Sequence, residues 1–185
     1  MTLGLVLAFV FALGWVPLYL FRAETLSDAL PFYQRVEQRW ARVAAIVMGV
    51  HVGAACALVS VAQAVPLWRA STGLGLFALA LAFWLWARVM IGPLRRTRLP
   101  DEPPHSLRQD GAFGIVRNPL YLSMLMAAAA PALVAGHAVL ALTYTGCVVA
   151  LAVRAVQEER RLHAQLGAQY DAYARQVKRL VPFVW

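Results

Sequence analysis

The sequence predicts an all-α integral membrane protein: five transmembrane helices, the last two as a hairpin, followed by a C-terminal amphipathic cytoplasmic segment. Three observations carry that prediction. Hydrophobic residues make up 61% of the 185 residues and charged residues only 14%, a balance that a soluble domain does not have. The apolar residues are gathered into five runs, none holding more than two Asp, Glu, Lys, Arg or His residues. The net charge of +8 comes from arginines concentrated between those runs. In a membrane chain such residues report topology first, so no nucleic-acid partner is expected. The length suffices for one domain, 1–185, with a three-helix part over 1–92, a cytoplasmic loop over 93–118 and a hairpin with its C-terminal segment over 119–185.

Thr2 to Phe21 is uncharged and close to the roughly 20 residues needed to cross a hydrocarbon core. No basic region precedes it and no small-residue cleavage site follows, so it is expected to stay in the mature chain as the first span. Arg22 to Trp40 is a charged connector with surface-helix character around Phe32, Val36 and Trp40. Ala41 to Val65 forms the second span, in which Gly49 and Gly53, four apart, predict a close helix approach. His51 lies between them. An ionisable residue in mid-membrane is a functional candidate by default, here for the substrate, beside a plain packing role through a hydrogen bond. Pro66 to Ser71 reads as a turn and Thr72 to Ile91 as the third span, with Arg88 snorkelling near its end.

Gly92 to Asp110 carries four arginines, Pro100, Pro103 and Pro104, and reads as an extended loop. Leu120 to Ala135 and Ala138 to Val153 are apolar runs of sixteen residues each, turned at Gly136 and His137. They predict a tight hairpin that is short for the bilayer. With the C-terminus inside and the N-terminus outside, 16 of the 17 Lys and Arg residues face the cytoplasm and only Arg69 is outside. The positive-inside rule therefore fixes the expected orientation.

Beyond the last run, Leu162, Leu166, Tyr170, Tyr173 and Val177 recur at steps of four, four, three and four, an apolar helical stripe. Gly167 interrupts it and is expected to turn the chain into a second short helix. Glu158 and Glu159 stand where the last span leaves the membrane, and Arg154 is one turn from Glu158, close enough for an ion pair. At the start of the fourth span, Asn118 is a favoured N-cap and Pro119 a favoured first helical residue. A helix start offers free amides and a partial positive charge, to which Arg117 adds a full one. The hairpin places this anion site beside Glu158 and Glu159, so a zwitterion is expected between them. His105, His137 and His163 have no metal spacing and no metal is expected. Cys56 and Cys147, both in apolar runs, read as small buried residues.

Arg117-Asn118-Pro119-Leu120-Tyr121, then Glu158-Glu159-x-x-Leu162-x-x-x-Leu166-Gly167-x-x-Tyr170-x-x-Tyr173, and a closing Arg179-Leu-Val-Pro182, resemble the integral membrane methyltransferases of the isoprenylcysteine carboxyl methyltransferase and phospholipid methyltransferase type. The likeness covers residues 105–182. It implies S-adenosyl-L-methionine held on the cytoplasmic side by Arg117, Asn118, Pro119, Tyr121, Glu158, Glu159 and Leu162. It also implies a lipophilic acceptor, arriving from the bilayer lipids, with Arg154, Glu158 and Arg117 as catalytic candidates. An isoprenylcysteine-type carboxylate is the acceptor the resemblance favours; ethanolamine lipids and small thiols stay open. Asn118 stands where many prenylcysteine enzymes carry His, and Ala112 where proline is common, which leaves the substrate undetermined.

Methyl transfer from a sulfonium is an in-line displacement that rests on positioning and the exclusion of water. An ionised carboxylate acceptor needs orientation by Arg154 or Arg117. A thiol or amine must also lose a proton, for which Glu158 or a histidine is the candidate base. Two other readings remain: an NADPH-dependent membrane reductase of the sterol type, which ends in a similar Tyr-x-x-Tyr and Leu-Val-Pro-Phe pattern, and a membrane scaffold without turnover.

Overall fold

The computed structural model describes residues 2–20, 34–62, 64–96, 109–182 and 184, and all of its regular elements are helices. In chain order they are α1 (Leu3–Leu20), α2 (Gln34–Ser60), α3 (Leu67–Arg96), α4 (Ala112–Ile115), α5 (Pro119–Ala135), α6 (Ala138–Leu166) and α7 (Ala168–Gln176). Residues 22–33 of the connector expected over Arg22 to Trp40, and residues 97–108 of the loop expected over Gly92 to Asp110, lie outside the described residues. Stretches within α2 (Arg39–Ser60), α3 (Leu67–Met90) and α6 (Ala138–Leu166) are long and apolar enough to cross a membrane. The apolar helices α1 and α5 are shorter, about 26 Å each at the α-helical rise.

α5 is the central helix, packed on α3, α2 and α6. Its residues Ala127, Ala128 and Ala130 are fully buried, and their small side chains let three neighbours close in on it. Gly73 of α3 faces Val134 and the Ala130 carbonyl so closely that a Cβ there would overlap Val134. Gly4 lies in the same way on the Val59 carbonyl of α2, and Gly14 on the Phe77 ring of α3. These glycines set the close approaches. Gly49 and Gly53, which the sequence nominated, are exposed and meet nothing within 4 Å; their spacing puts them on the outer face of α2.

α1 is apolar all round because it faces both protein and lipid. Leu7, Phe11, Trp15 and Leu18 turn inward, with Phe11 edge-on to Phe77 at 5.0 Å, while Phe9 and Leu13 point outward. The α5–α6 hairpin closes at Gly136, whose φ of 60° ends α5 in the left-handed conformation that glycine adopts without strain. His137 then caps α6 by accepting the Val139 amide at its Nδ1.

Several boundaries differ from the sequence reading: α2 begins at Gln34, inside the expected connector, and α3 runs on to Arg96, inside the expected loop. α3 begins at Leu67 instead of Thr72, since Pro66 O accepts the Arg69 and Ala70 amides. Ser71 and Thr72 fit inside the helix by donating their hydroxyls back to Trp68 O, at 3.1 and 2.6 Å. α2 ends at Ser60, five residues before Val65, in a tightened turn from Ala62 N to Val59 O.

Candidate active site

The site is built at the end of the bundle opposite the Gly136–His137 turn, where α5 begins, α6 emerges and the C-terminal segment returns. Val116 and Lys178 form an isolated parallel bridge. Arg117 N donates to Lys178 O at 2.8 Å and Asn118 N to Arg179 O at 3.1 Å. The backbone before α5 is thereby stitched to the segment after α7. Tyr173 adds a third tie across the same seam, donating its hydroxyl to Phe113 O at 2.7 Å. Gly111 lets the chain enter α4 with a φ of 55°, at a place where a Cβ would overlap Met90.

Glu159 is the hub of this seam. Arg117 reaches it twice, Nε to Oε1 and Nη2 to Oε2, both at 3.2 Å. Asn118 Nδ2 donates to Oε1 at 3.1 Å and Arg179 Nε to Oε2 at 2.9 Å. Four donors match the four lone-pair positions of a carboxylate. Arg117 also donates to Ala174 O at 2.8 Å, anchoring the end of α7. Glu159, with 7% of its surface exposed, is therefore paired and fully hydrogen-bonded, the condition on which a carboxylate can be buried.

This arrangement alters the roles read from sequence. Asn118 holds the N-cap position, but its side chain makes no capping bond because Glu159 and the Arg179 carbonyl engage it instead. Arg117 is closed on Glu159, so the two do not stand as opposite walls of a zwitterion site. Arg179, quoted in the sequence only as part of a closing motif, is a working member of the cluster.

Glu158 points elsewhere. Adjacent residues on an α-helix are about 100° apart, and while Glu159 faces the seam, Glu158 accepts the Tyr121 hydroxyl at 2.6 Å. Arg154 Nε donates to the same hydroxyl at 3.3 Å, with its guanidinium 5.9 Å from the centre of the tyrosine ring. Tyr121 thus bonds to both the cation and the carboxylate that the helical spacing sets one turn apart. Pro119 fills the first helical position and is buried, and Leu162, half-buried, is one turn beyond Glu158.

His51 belongs to another place. Its Nε2 lies 2.9 Å from Ala128 O on α5 and its Nδ1 2.8 Å from the Thr143 hydroxyl on α6. Ala128 is ten residues from Asn118, about 15 Å along α5. Pro131 supplies no N–H to the preceding turn, and His51 serves a carbonyl of that turn in a region where water cannot. The structure does not bring His51 to the Arg117, Glu158 and Arg154 set.

Beside Glu159, Tyr170 and Tyr173 stand edge-on at 6.2 Å, and His163 stands edge-on to Tyr170 at 6.5 Å. Burial chiefly, and Glu159 next, push the Tyr170 phenol well above its ordinary value. Burial does the same for Tyr173, with Arg117 acting in the opposite direction. No group of three His, Cys, Asp or Glu residues gathers in metal-binding fashion among the described residues.

Residues 73–164 match the model of the isoprenylcysteine carboxyl methyltransferase family. That range contains α5, nearly all of α6, and the Arg117, Tyr121, Arg154, Glu158 and Glu159 side chains just described. Over this stretch, just under half of its length, the chain is similar to the isoprenylcysteine carboxyl methyltransferase family. Its apolar helices and this likeness make it an integral membrane protein. Among curated relatives of the family, a methanethiol S-methyltransferase from a Pseudomonas species is 29% identical over 137 residues, 64% of this chain and 51% of that one. Methanethiol S-methyltransferase 2 of Bradyrhizobium diazoefficiens is 44% identical over 78 residues, 42% of this chain and 29% of its own. The methanethiol S-methyltransferase of Pseudomonas deceptionensis is 29% identical over 131 residues, 62% and 49% respectively. The chain spans about half the length, or less, of these relatives.

Proposed function

We propose that this protein is a membrane-embedded methyltransferase that uses S-adenosyl-L-methionine and methylates a small lipophilic acceptor, with a thiol as the favoured class. The observation that carries the reading is the Arg154–Tyr121–Glu158 array at the mouth of the α5–α6 hairpin, inside the stretch that matches the family. A cation and a carboxylate held by one hydroxyl suit the carboxylate and ammonium of an amino-acid moiety. The donor set therefore fits the cofactor. When bound, the cofactor supplies an electrophilic methyl on a sulfonium.

The protein's own contribution is position, charge and dryness. The Glu159 seam holds the start of α5 and the C-terminal segment in fixed relation. The Tyr121 hydroxyl fixes the carboxylate of Glu158 and the guanidinium of Arg154. A thiol acceptor must lose its S–H proton as the carbon–sulfur bond forms. Glu158 is the candidate to take that proton and Arg154 to favour the thiolate. The names of the relatives favour a thiol over the isoprenylcysteine-type carboxylate expected from sequence. No proton has to leave an ionised carboxylate, so the two acceptors make different demands on Glu158.

Reconstituted protein supplied with S-adenosylmethionine carrying a tritiated methyl group should label a short alkyl thiol into an organic-soluble thioether. A prenylcysteine carboxylate should be labelled weakly or not at all. Labelling of the carboxylate alone would overturn the acceptor class, and labelling of no acceptor with no cofactor bound would overturn the enzyme reading.

A further inference from the structure

Arg69 stands at the opposite end of the bundle from the candidate active site, beside the α5–α6 turn. It is the third residue of α3, at the start of the stretch Leu67–Met90 that is long and apolar enough to cross a membrane. A residue there lies at the level where the headgroups of a bilayer begin. Two contacts hold its guanidinium. One is the Trp68 ring, whose centre is 5.2 Å from Cζ, a cation–π pair. The other is Gly136, where a Cβ would overlap Nη1. Glycine is thus needed twice at that turn, for a φ of 60° and for the room it leaves the cation.

The guanidinium is held in place without being paired. It presents five N–H donors in a planar fork, and it makes no hydrogen bond or ion pair with any described residue. The negative end of the α5 dipole helps to hold the cation but gives it no bond. The stretches that meet at this end, residues 2–5, 57–72 and 132–142, contain no Asp or Glu, and Arg69 is their single Lys or Arg. His137 is engaged at its Nδ1 by the Val139 amide. Val61, Leu67, Trp68, Leu133, Val139 and Leu142 are all exposed at the same end, an apolar collar that belongs in lipid. In such a collar the anions within reach of a cation are the phosphates of the bilayer.

The chemistry selects among phosphates. A guanidinium fork meets two oxygens of a phosphate at once. A headgroup that carries its own ammonium would find no carboxylate at this end, and the Trp68 ring already serves Arg69. We propose that the corner formed by Arg69, Trp68 and Gly136 binds the phosphate of a phospholipid whose headgroup carries no cation, as in phosphatidylglycerol. The site is separate from the methyl-transfer site and does not depend on that reading.

The test is modification of Arg69 by phenylglyoxal in the detergent-purified full chain, read by peptide mass spectrometry. It is run with phosphatidylglycerol, with phosphatidylcholine or diacylglycerol of the same acyl chains, and with inorganic phosphate. Phosphatidylglycerol is expected to slow the modification about tenfold, and the other three additives to slow it little. Equal protection by diacylglycerol would show that the apolar collar alone holds the lipid and overturns the proposal. Equal protection by phosphatidylcholine overturns the headgroup preference, and equal protection by inorganic phosphate overturns the lipid as ligand. Protection without lipid that grows with protein concentration would put a second copy of the chain on this end instead. In native mass spectrometry, Arg69→Gln should hold phosphatidylglycerol about tenfold more weakly than the wild type, while Arg175→Gln, at the other end, should not. Equal retention by the two variants overturns the proposal, and the footprint on the wild type decides it even if a variant does not fold.

Discussion

Glu158 and Glu159 are equals in the sequence, and the structure separates them. Glu159 is buried under Arg117, Arg179 and Asn118, so it is a structural anion. Glu158 meets Tyr121 at the mouth of the hairpin. Substituting Glu159→Gln would leave two arginines facing each other across a neutral amide, and removing one member of a buried ionic cluster costs about 3 kcal/mol. A marked fall in the melting temperature of the detergent-solubilised protein is expected, whereas Glu158→Gln should melt near the wild type. Equal melting temperatures for the two variants would contradict the division of roles. The motif made both carboxylates visible in the sequence. Their division was not, because it depends on where Arg179 and Asn118 arrive from, 20 and 41 residues away.

Among the elements, the α3–α5 contact and α7 carry the sharpest expectations. Gly73→Ala sets a methyl against Val134 and the Ala130 carbonyl, an overpacking worth about 1–3 kcal/mol. Gly53→Ala meets nothing, and the gain in helix propensity makes it neutral or stabilising by up to about 1 kcal/mol. A thermal shift for both variants checks this, and the opposite order would refute the assigned packing. Composition and run length made the helices readable; the close-contact glycines were not, because Gly49 and Gly53 have the familiar spacing while Gly4, Gly14 and Gly73 have no glycine four residues away. In the same way Ser71 reads as the end of a turn until its hydroxyl is seen to bond back to Trp68 O.

α7 makes a pH prediction. Tyr170 and Tyr173 hold their protons in the folded protein above the value they have when unfolded, mainly through burial. Above pH about 10 the unfolded state loses those protons while the folded state keeps them, so stability falls as pH rises through that range. Tyr173→Phe should flatten the alkaline fall of the melting temperature, at a cost of about 1 kcal/mol near neutral pH for the lost bond to Phe113 O. An alkaline slope equal to that of the wild type would count against it.

For the molecule as a whole, we propose from the distribution of 17 basic residues that the Glu159 seam and the C-terminus lie in the cytoplasm and the N-terminus outside. Reporter fusions at the two ends should report opposite sides of the membrane; the same side for both would remove one of the five proposed spans. The seam also explains why the site was legible and its wiring was not. The hairpin brings together motif residues that lie 37 and 42 apart, Tyr121 with Glu158 and Arg117 with Glu159, and a helical hairpin can be read from sequence. The bridge from Val116 to Lys178 joins two irregular segments with no periodicity to announce them.

Calorimetric titration of S-adenosylhomocysteine, with NADP⁺ alongside, into purified wild-type protein and Glu158→Gln bears most directly on the proposed chemistry. Saturable binding of the sulfur nucleoside by the wild type, no binding of NADP⁺, and a loss of about tenfold or more in the variant are expected. Binding of NADP⁺ alone, or of neither molecule by a folded wild type, would contradict the methyltransferase reading.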